Sequence, residues 1–134
     1  MRKDIFFPPV EGIKLAITRT SEVDNIWEVH IINNNDHLIE GVIIVSKGYG
    51  ENKQNGDKLQ TSVLRHLIES IPAKGTALVE PLDGNLLHLF NEYWVSYYVG
   101  KQIYDKRFVF VPESVVETNY SFIPELNKQG VLHK

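Results

Sequence analysis

With 134 residues and no cysteine, the chain carries 14 lysines and arginines against 17 aspartates and glutamates, a formal net charge of −3. The length suits one domain, residues 1–134, and the lack of cysteine excludes disulfides, thiolate metal sites and cysteine nucleophiles. Because the basic residues are scattered and no apolar run reaches about 18 residues, we expect a cytoplasmic protein without a membrane partner or a general attraction to nucleic acid.

The first third of the chain alternates apolar and polar residues, which is typical of half-buried strands. The segments "GIKLAITRT" (12–20) and "IWEVHIINNN" (26–35) each place apolar residues on one face, and three asparagines end the second as a turn. The segment "HLIEGVIIVS" (37–46) becomes apolar on both parities, so we expect a central strand with both faces covered. Gly41 within it indicates a β-bulge.

The polar stretch "VSKGYGENKQNGDK", residues 45–58, contains three glycines and three lysines. A phosphate cradle of the form G-x-x-x-x-G-K-[ST] would lead into a helix, whereas no apolar helical face follows this stretch before Val63. We therefore predict a polar loop between strands. Because binding residues often lie on loops, Lys47, Tyr49 and Lys53 are candidate contacts for a ligand or partner.

The next two segments are shorter. Residues 62–71 fit either a strand or a short helix that ends before Pro72, and the neighbouring strands favour a strand. The segment "TALVEPL" (76–82) is a short strand that leads into an Asp-Gly turn.

The second half of the chain contains its clearest hairpin. Two long aromatic strands, residues 86–99 and 102–112, are joined around Gly100. Residues 113–134 lose the alternation and are predicted to form a C-terminal strap. In all, about seven short strands with no alternating helices indicate an all-β protein, and we expect an antiparallel β-sandwich of immunoglobulin-like type. A small β-barrel is the alternative.

No segment carries a catalytic or metal-binding motif. The five histidines show neither H-x-H nor H-E-x-x-H spacing, so no metal site is predicted. His66 beside Arg65 is interpreted as part of a solvated strand face. No serine lies in G-x-S-x-G, so we assign no catalytic residue and no cofactor.

The hairpin carries aromatic residues on both parities, so one set faces the core and the other faces solvent or a partner. With Lys101, Lys106 and Arg107 nearby, the second set could imitate the stacking surface of an oligonucleotide-binding barrel. Core packing accounts for most aromatic residues in strands, which makes the nucleic-acid interpretation the less favoured one. The three cations are candidate contacts for a partner.

Six segments carry a resemblance to known proteins: "WEVHIINNND", "GVIIVSKGYGE", "SIPAKGTALVE", "NEYWVSYY", "KRFVF" and "IPELNKQGVL". They resemble a small family of uncharacterised bacterial proteins, some labelled automatically as a phenylalanyl-tRNA synthetase subunit. The resemblance covers nearly the whole chain and brings no established active site. Both the ATP motif and the glycine-rich motif of a class II synthetase are missing from this sequence, so the chain cannot charge tRNA alone. "IPAKGTALVE" is also similar to the strand rhythm of immunoglobulin-like modules, which implies a fold rather than a function.

Three hypotheses about function follow. We favour a non-enzymatic module that binds a protein partner, or a second copy of itself, through a strand edge, the aromatic hairpin or the loop 47–58. One alternative is a small-ligand binder or enzyme that uses Tyr49, His66 or Arg65. The other is a synthetase-associated or RNA-binding accessory that uses the cations of the hairpin.

Overall fold

Two antiparallel sheets of five strands each pack together in the computed structural model, which describes residues 7–21, 24–52 and 54–134. The predicted all-β sandwich is confirmed, and the strands divide into two sheets rather than closing into a small barrel. These residues contain ten strands instead of about seven, because the polar stretch and the C-terminal segment both contribute strands. Among the described residues, no helix is long and apolar enough to cross a membrane.

Sheet A has the strand order β6-β2-β1-β10-β9. Its strands are β1 (Ile13–Arg19), β2 (Ile26–Asn33), β6 (Thr76–Asp83), β9 (Ser121–Ile123) and β10 (Lys128–His133). Sheet B has the order β4-β3-β7-β8, and β5 pairs with β3 beyond the end of β4. Its strands are β3 (Ile39–Glu51), β4 (Lys58–Gln60), β5 (Leu64–Ile71), β7 (Phe90–Val99) and β8 (Gln102–Phe110).

The core lies between the inner faces of the two sheets, where the alternation of the sequence places the apolar residues. Leu15 and Ile17 of β1 are fully buried. From sheet B, Tyr93 and Phe108 lie directly opposite each other in the β7–β8 ladder and are at most 1% exposed. Burying an apolar side chain of this size stabilises the fold by roughly 1.5–3 kcal/mol, so these central residues dominate its stability.

The bulge predicted in β3 is present. Gly41 has a φ of +54°, and the register with β7 shifts between Glu40 and Ile43. The prediction that both faces of this strand are covered is wrong, since Ile43 is 37% exposed on the outer face. Sheet A packs against one face of sheet B only, and the other face keeps its apolar side chains at the surface.

The prediction of a polar loop over residues 45–58 is wrong for its first half. Strand β3 continues to Glu51, and its ladder with β7 runs as far as Tyr49. The backbone amides of this part are used in strand pairing, and the next element that the structure describes is the strand β4, so the stretch is not a phosphate cradle. Lys47 and Tyr49 looked like loop residues because they occupy the solvent-facing positions of a strand.

The remaining elements of the second half mostly agree with the prediction. Residues 64–71 form a strand, as favoured, and the β7–β8 hairpin turns at Gly100 with a φ of +59°. The segment 113–134 is more than the predicted strap, because its strand β10 pairs with β1 inside sheet A. Gly130 allows this approach, since a Cβ there would lie 2.5 Å from the carbonyl oxygen of Ile17.

His30 lies on the outer face of sheet A, with its Nε2 3.3 Å from the Thr18 hydroxyl and 3.5 Å from Glu28 Oε1. Burial lowers the pKa of His30 from its ordinary value of 6.5, an effect that Glu28 opposes and Lys128 reinforces. The unfolded chain therefore binds this proton more readily than the folded chain does. The contribution of His30 to stability is present above pH 6.5 and is lost as the pH falls through the folded pKa.

We therefore expect the His30→Gln variant to lose less of its free energy of unfolding than the wild type does on acidification. The measurement is urea denaturation of both proteins from about pH 7 to about pH 5, across the range in which histidine titrates. Circular dichroism at neutral pH checks that the variant is folded. An identical loss in both proteins would show that His30 does not contribute to the acid dependence.

Candidate functional site

A cavity of about 650 Å³ opens on the outer face of sheet B, and we call it the outer cleft. Strand pairing assembles its walls, because directly opposite residues of an antiparallel pair point to the same side. Lys47 lies opposite Glu92, and Tyr49 lies opposite Phe90. Arg107 reaches the cleft from β8, one strand further along the sheet.

Glu92 is the centre of charge in the outer cleft and is only 7% exposed. Its Oε1 accepts a hydrogen bond from the Tyr49 hydroxyl at 3.3 Å and lies 3.4 Å from Arg107 Nη1, while its Oε2 lies 3.9 Å from Lys47 Nζ. A buried carboxylate needs such partners. The side chains of Lys47 and Arg107 are 36% and 53% exposed, so each keeps donors that face solvent.

The aromatic pair of the outer cleft is ordered by the same contacts. Tyr49 and Phe90 stack with ring centroids 5.3 Å apart and an interplanar angle of 7°. Lys47 Nζ lies 5.8 Å from the centroid of the Tyr49 ring. Burial and the neighbouring charge of Glu92 raise the pKa of Tyr49 above its usual range, so its hydroxyl remains a donor at neutral pH.

Beside the outer cleft, the same face of sheet B exposes a group of large apolar side chains that we call the apolar strip: Ile43, Leu67, Trp94 and Tyr98. Ile43 lies between Leu67 on β5 and Ser96 on β7, and Trp94 occupies the adjacent row. The indole Nε1 of Trp94 donates to Asp105, which also accepts a hydrogen bond from the Ser96 hydroxyl at 2.8 Å. The orientation of Trp94 is therefore held by its neighbours.

Three of the six predicted contact residues meet in the outer cleft, namely Lys47, Tyr49 and Arg107. Lys101 lies at the turn of the β7–β8 hairpin, and Lys106 points to the opposite side of β8 from Arg107, with its Nζ 4.8 Å from the Phe108 ring centroid. The three cations of the hairpin therefore do not form one basic face. Lys53 lies outside the described residues.

A second polar cluster, which we call the Glu80 cluster, lies between the sheets. Glu80 of β6 is 7% exposed, and its Oε1 accepts a hydrogen bond from the Ser46 hydroxyl at 2.9 Å and lies 2.6 Å from His66 Nε2. Its Oε2 accepts a hydrogen bond from the Tyr93 hydroxyl at 3.1 Å. Burial and the charge of Glu80 raise the pKa of Tyr93 well above its usual range, so Tyr93 acts as a donor.

The interpretation of His66 as part of a solvated strand face is wrong, because its side chain is 27% exposed and contacts Glu80. Sequence reasoning also missed the two buried carboxylates, Glu80 and Glu92. A single glutamate in the apolar segment "TALVEPL" is a weak signal of a buried charge. Its three partners stand 13 to 34 residues away along the chain, so only the fold reveals them.

Neither the outer cleft nor the Glu80 cluster has the arrangement of a hydrolase triad. Ser46 donates its hydrogen bond to the carboxylate of Glu80 rather than to an imidazole, and His66 contacts the same carboxylate oxygen. Within the part of the chain that the structure describes, no group of three or more histidines and carboxylates could hold a metal ion. Comparisons with protein-family models, with curated proteins and with solved structures found no match for this chain.

Proposed function

We propose that the chain is a non-enzymatic module that binds an acidic, partly apolar segment of another protein on the outer face of sheet B. The apolar strip is the observation that carries this proposal. Its four side chains are 37–72% exposed on one sheet face, and contiguous exposed apolar groups mark protein interaction surfaces. The adjoining outer cleft adds polar donors at the border of this apolar surface.

The residue types of this face favour a protein partner. Trp, Tyr and Arg contribute more than other residues to the energy of protein interfaces, and Trp94, Tyr98 and Arg107 lie together here. Binding is weakened by the entropy lost when side chains become ordered. Because Asp105 already holds the Trp94 indole in place, that loss is smaller for this residue.

The excess positive charge of the outer cleft favours an acidic partner. Lys47 and Arg107 share a single buried carboxylate, that of Glu92, which leaves an excess of one positive charge. Lys58 and Glu51 also line the cleft, and they lie opposite each other in the β3–β4 ladder, so their charges balance. A carboxylate of the partner would therefore find exposed cationic donors beside an apolar surface.

We propose in addition an immunoglobulin-like connection of the strands and a cytoplasmic location. Support for the first comes from the strand order, since β1, β2 and β6 are neighbours in one sheet while β5, β3, β7 and β8 are neighbours in the other. The cytoplasmic location rests on a sequence without cysteine, which needs no oxidising compartment.

The proposal is tested with the double variant Trp94→Ala/Arg107→Glu. The tagged wild type, this variant and a matched control, Leu78→Ala, are used to capture proteins from cells of the source organism, with and without nuclease. Leu78 is 52% exposed on β6 and pairs with His30, so it belongs to the outer face of the other sheet. The captured protein is then purified, and an acidic peptide from it is titrated into all three.

We expect the wild type and Leu78→Ala to bind the peptide equally, and the double variant to bind it at least about 100-fold more weakly, as loss of an interface hot spot implies. Binding by all three proteins with the same affinity would contradict the proposal. A wild type that forms a dimer by light scattering, where the double variant is a monomer, would assign this face to a second copy of the chain instead. Capture that disappears after nuclease treatment would favour the RNA alternative.

A further inference from the structure

A second cavity, of about 310 Å³, lies on the other side of strand β3 from the outer cleft. It opens between β4 and β5, at residues 61–63, where Thr61 remains hydrogen-bonded to Gly48 of β3 through its amide and its hydroxyl. The side of this cavity that reaches the core is formed by four buried polar side chains: Ser46, Glu80, Asn91 and Tyr93. Its other walls combine the apolar side chains of Leu64, Leu82 and Leu86 with the polar residues Thr61, Ser62 and Asp83.

The donor groups of these buried polar side chains already form hydrogen bonds within the protein. Ser46 and Tyr93 both donate to Glu80. The amide of Asn91 donates both of its hydrogens, one to the carbonyl oxygen of Leu86 at 3.0 Å and one to that of Leu89 at 3.2 Å. The buried part of the wall therefore presents acceptors to the cavity and no spare donors.

Two acceptor positions remain open. Asn91 is 5% exposed, and its Oδ1 accepts no hydrogen bond from the residues that the structure describes. An unpaired oxygen on a buried side chain is unfavourable unless a ligand or solvent reaches it. Glu80 Oε2 accepts one hydrogen bond, from Tyr93, although a carboxylate oxygen can accept two.

Two carboxylates belong to the cavity, and the imidazole of His66 contacts one of them, with its Nε2 2.6 Å from Glu80 Oε1. Glu80 lies in the buried wall, and Asp83, which is exposed, adds a second carboxylate at the cavity. Lys47 is the only lysine or arginine among the described lining residues, and its Nζ is directed to Glu92 in the outer cleft. A ligand that fits must therefore bring hydrogen-bond donors and positive charge, together with an apolar part that contacts the leucines.

We propose that this cavity is a binding site for a small aliphatic amine, whose ammonium group donates to Glu80 and Asn91 while its methylene groups contact Leu64, Leu82 and Leu86. In a diamine, the second ammonium group pairs with Asp83. The site is separate from the outer cleft and does not depend on the function proposed for it. An ammonium group has three donors and no acceptor, so it complements a buried wall that offers acceptors and no spare donors.

The test uses 1,4-diaminobutane as the probe and 1,4-butanediol as a neutral molecule of the same length. Binding to the intact protein is followed by two-dimensional NMR, with attention to the amides of Gly48 and Asn91. We expect saturable shifts at these amides, and an affinity for the diamine at least about tenfold above that for the diol, as loss of a charge-assisted contact implies. Equal affinities, or no saturable shifts at millimolar diamine, would overturn the proposal.

Three variants assign the contacts. Glu80→Gln keeps the size of the side chain and should weaken diamine binding at least about tenfold, and Asp83→Asn should weaken it about threefold or more. Glu28→Gln makes the same chemical change on the outer face of sheet A and should leave binding unchanged. If Glu80→Gln does not fold, the affinity of Asp83→Asn for the diamine tests the proposal by itself. This variant should fold, because the side chain of Asp83 is exposed and an asparagine there can also accept the hydrogen bond from the backbone amide of Asn85. Wild-type affinity in the folded variants would refute the assignment.

Discussion

Replacing Glu80 by alanine is expected to lower the free energy of unfolding by about 2–4 kcal/mol, because each buried hydroxyl left without its acceptor costs about 1–3 kcal/mol. The change leaves the hydroxyls of Ser46 and Tyr93 without their acceptor at two buried positions. It also leaves the ring of His66 without the carboxylate that lies 2.6 Å from its Nε2. Urea denaturation followed by circular dichroism measures the difference.

Two further variants separate this effect from that of a general surface change. Glu80→Gln keeps a carbonyl oxygen for Ser46, and the Tyr93 hydroxyl can rotate to accept from the new amide, so the loss should be about 1–2 kcal/mol. Glu69→Ala removes an exposed glutamate from β5 and should change stability by no more than about 0.5 kcal/mol. A Glu80→Ala protein as stable as Glu69→Ala would mean that the Glu80 cluster does not stabilise the sandwich.

The second large effect is expected at Phe108, the fully buried aromatic residue of β8. Phe108→Ala should lower the free energy of unfolding by about 3–5 kcal/mol, because it removes apolar burial and leaves a cavity that a rigid sandwich cannot fill. Phe108 lies opposite Tyr93, and its ring meets that of His133 edge to face with centroids 5.2 Å apart. The last strand of the chain therefore loses a packing partner as well.

The matched control is Phe122→Ala, since Phe122 is 54% exposed on the edge strand β9. It should change the free energy of unfolding by about 0.5 kcal/mol or less, measured by the same urea titration. If the two phenylalanine variants unfold at the same urea concentration, Phe108 does not hold the core together as its burial implies.

The all-β fold class and most of the strands could be predicted from the sequence, because a strand with one buried face alternates apolar and polar residues locally. The hairpin β7–β8 follows from its two aromatic segments and the glycine between them, and the bulge follows from Gly41 inside a strand. The alternation rule fails for Lys47 and Tyr49, because the sequence predicts a loop where the structure has strand β3. Polar residues on the solvent face of a strand and polar residues in a loop have the same composition, and only the pairing partner distinguishes them.

The C-terminal segment shows a second limit. Strand β10 contains Gly130 at a buried position, and β9 is only three residues long. Their membership of sheet A depends on pairing with β1, more than 100 residues earlier in the chain, where Thr18 lies opposite Gly130. Propensity within a short window does not report such distant pairing.

The sequence by itself determined the all-β class, the core-facing residues of the first two strands and the absence of cysteine chemistry, since each of these depends on local pattern or on composition. Only the tertiary structure decided which polar residues meet. Lys47 and Arg107 share Glu92 because β3, β7 and β8 are neighbours, and Ser46 contacts Glu80 because the sheets face each other. Both candidate sites join strands distant in sequence, so their geometry follows from sheet order and packing.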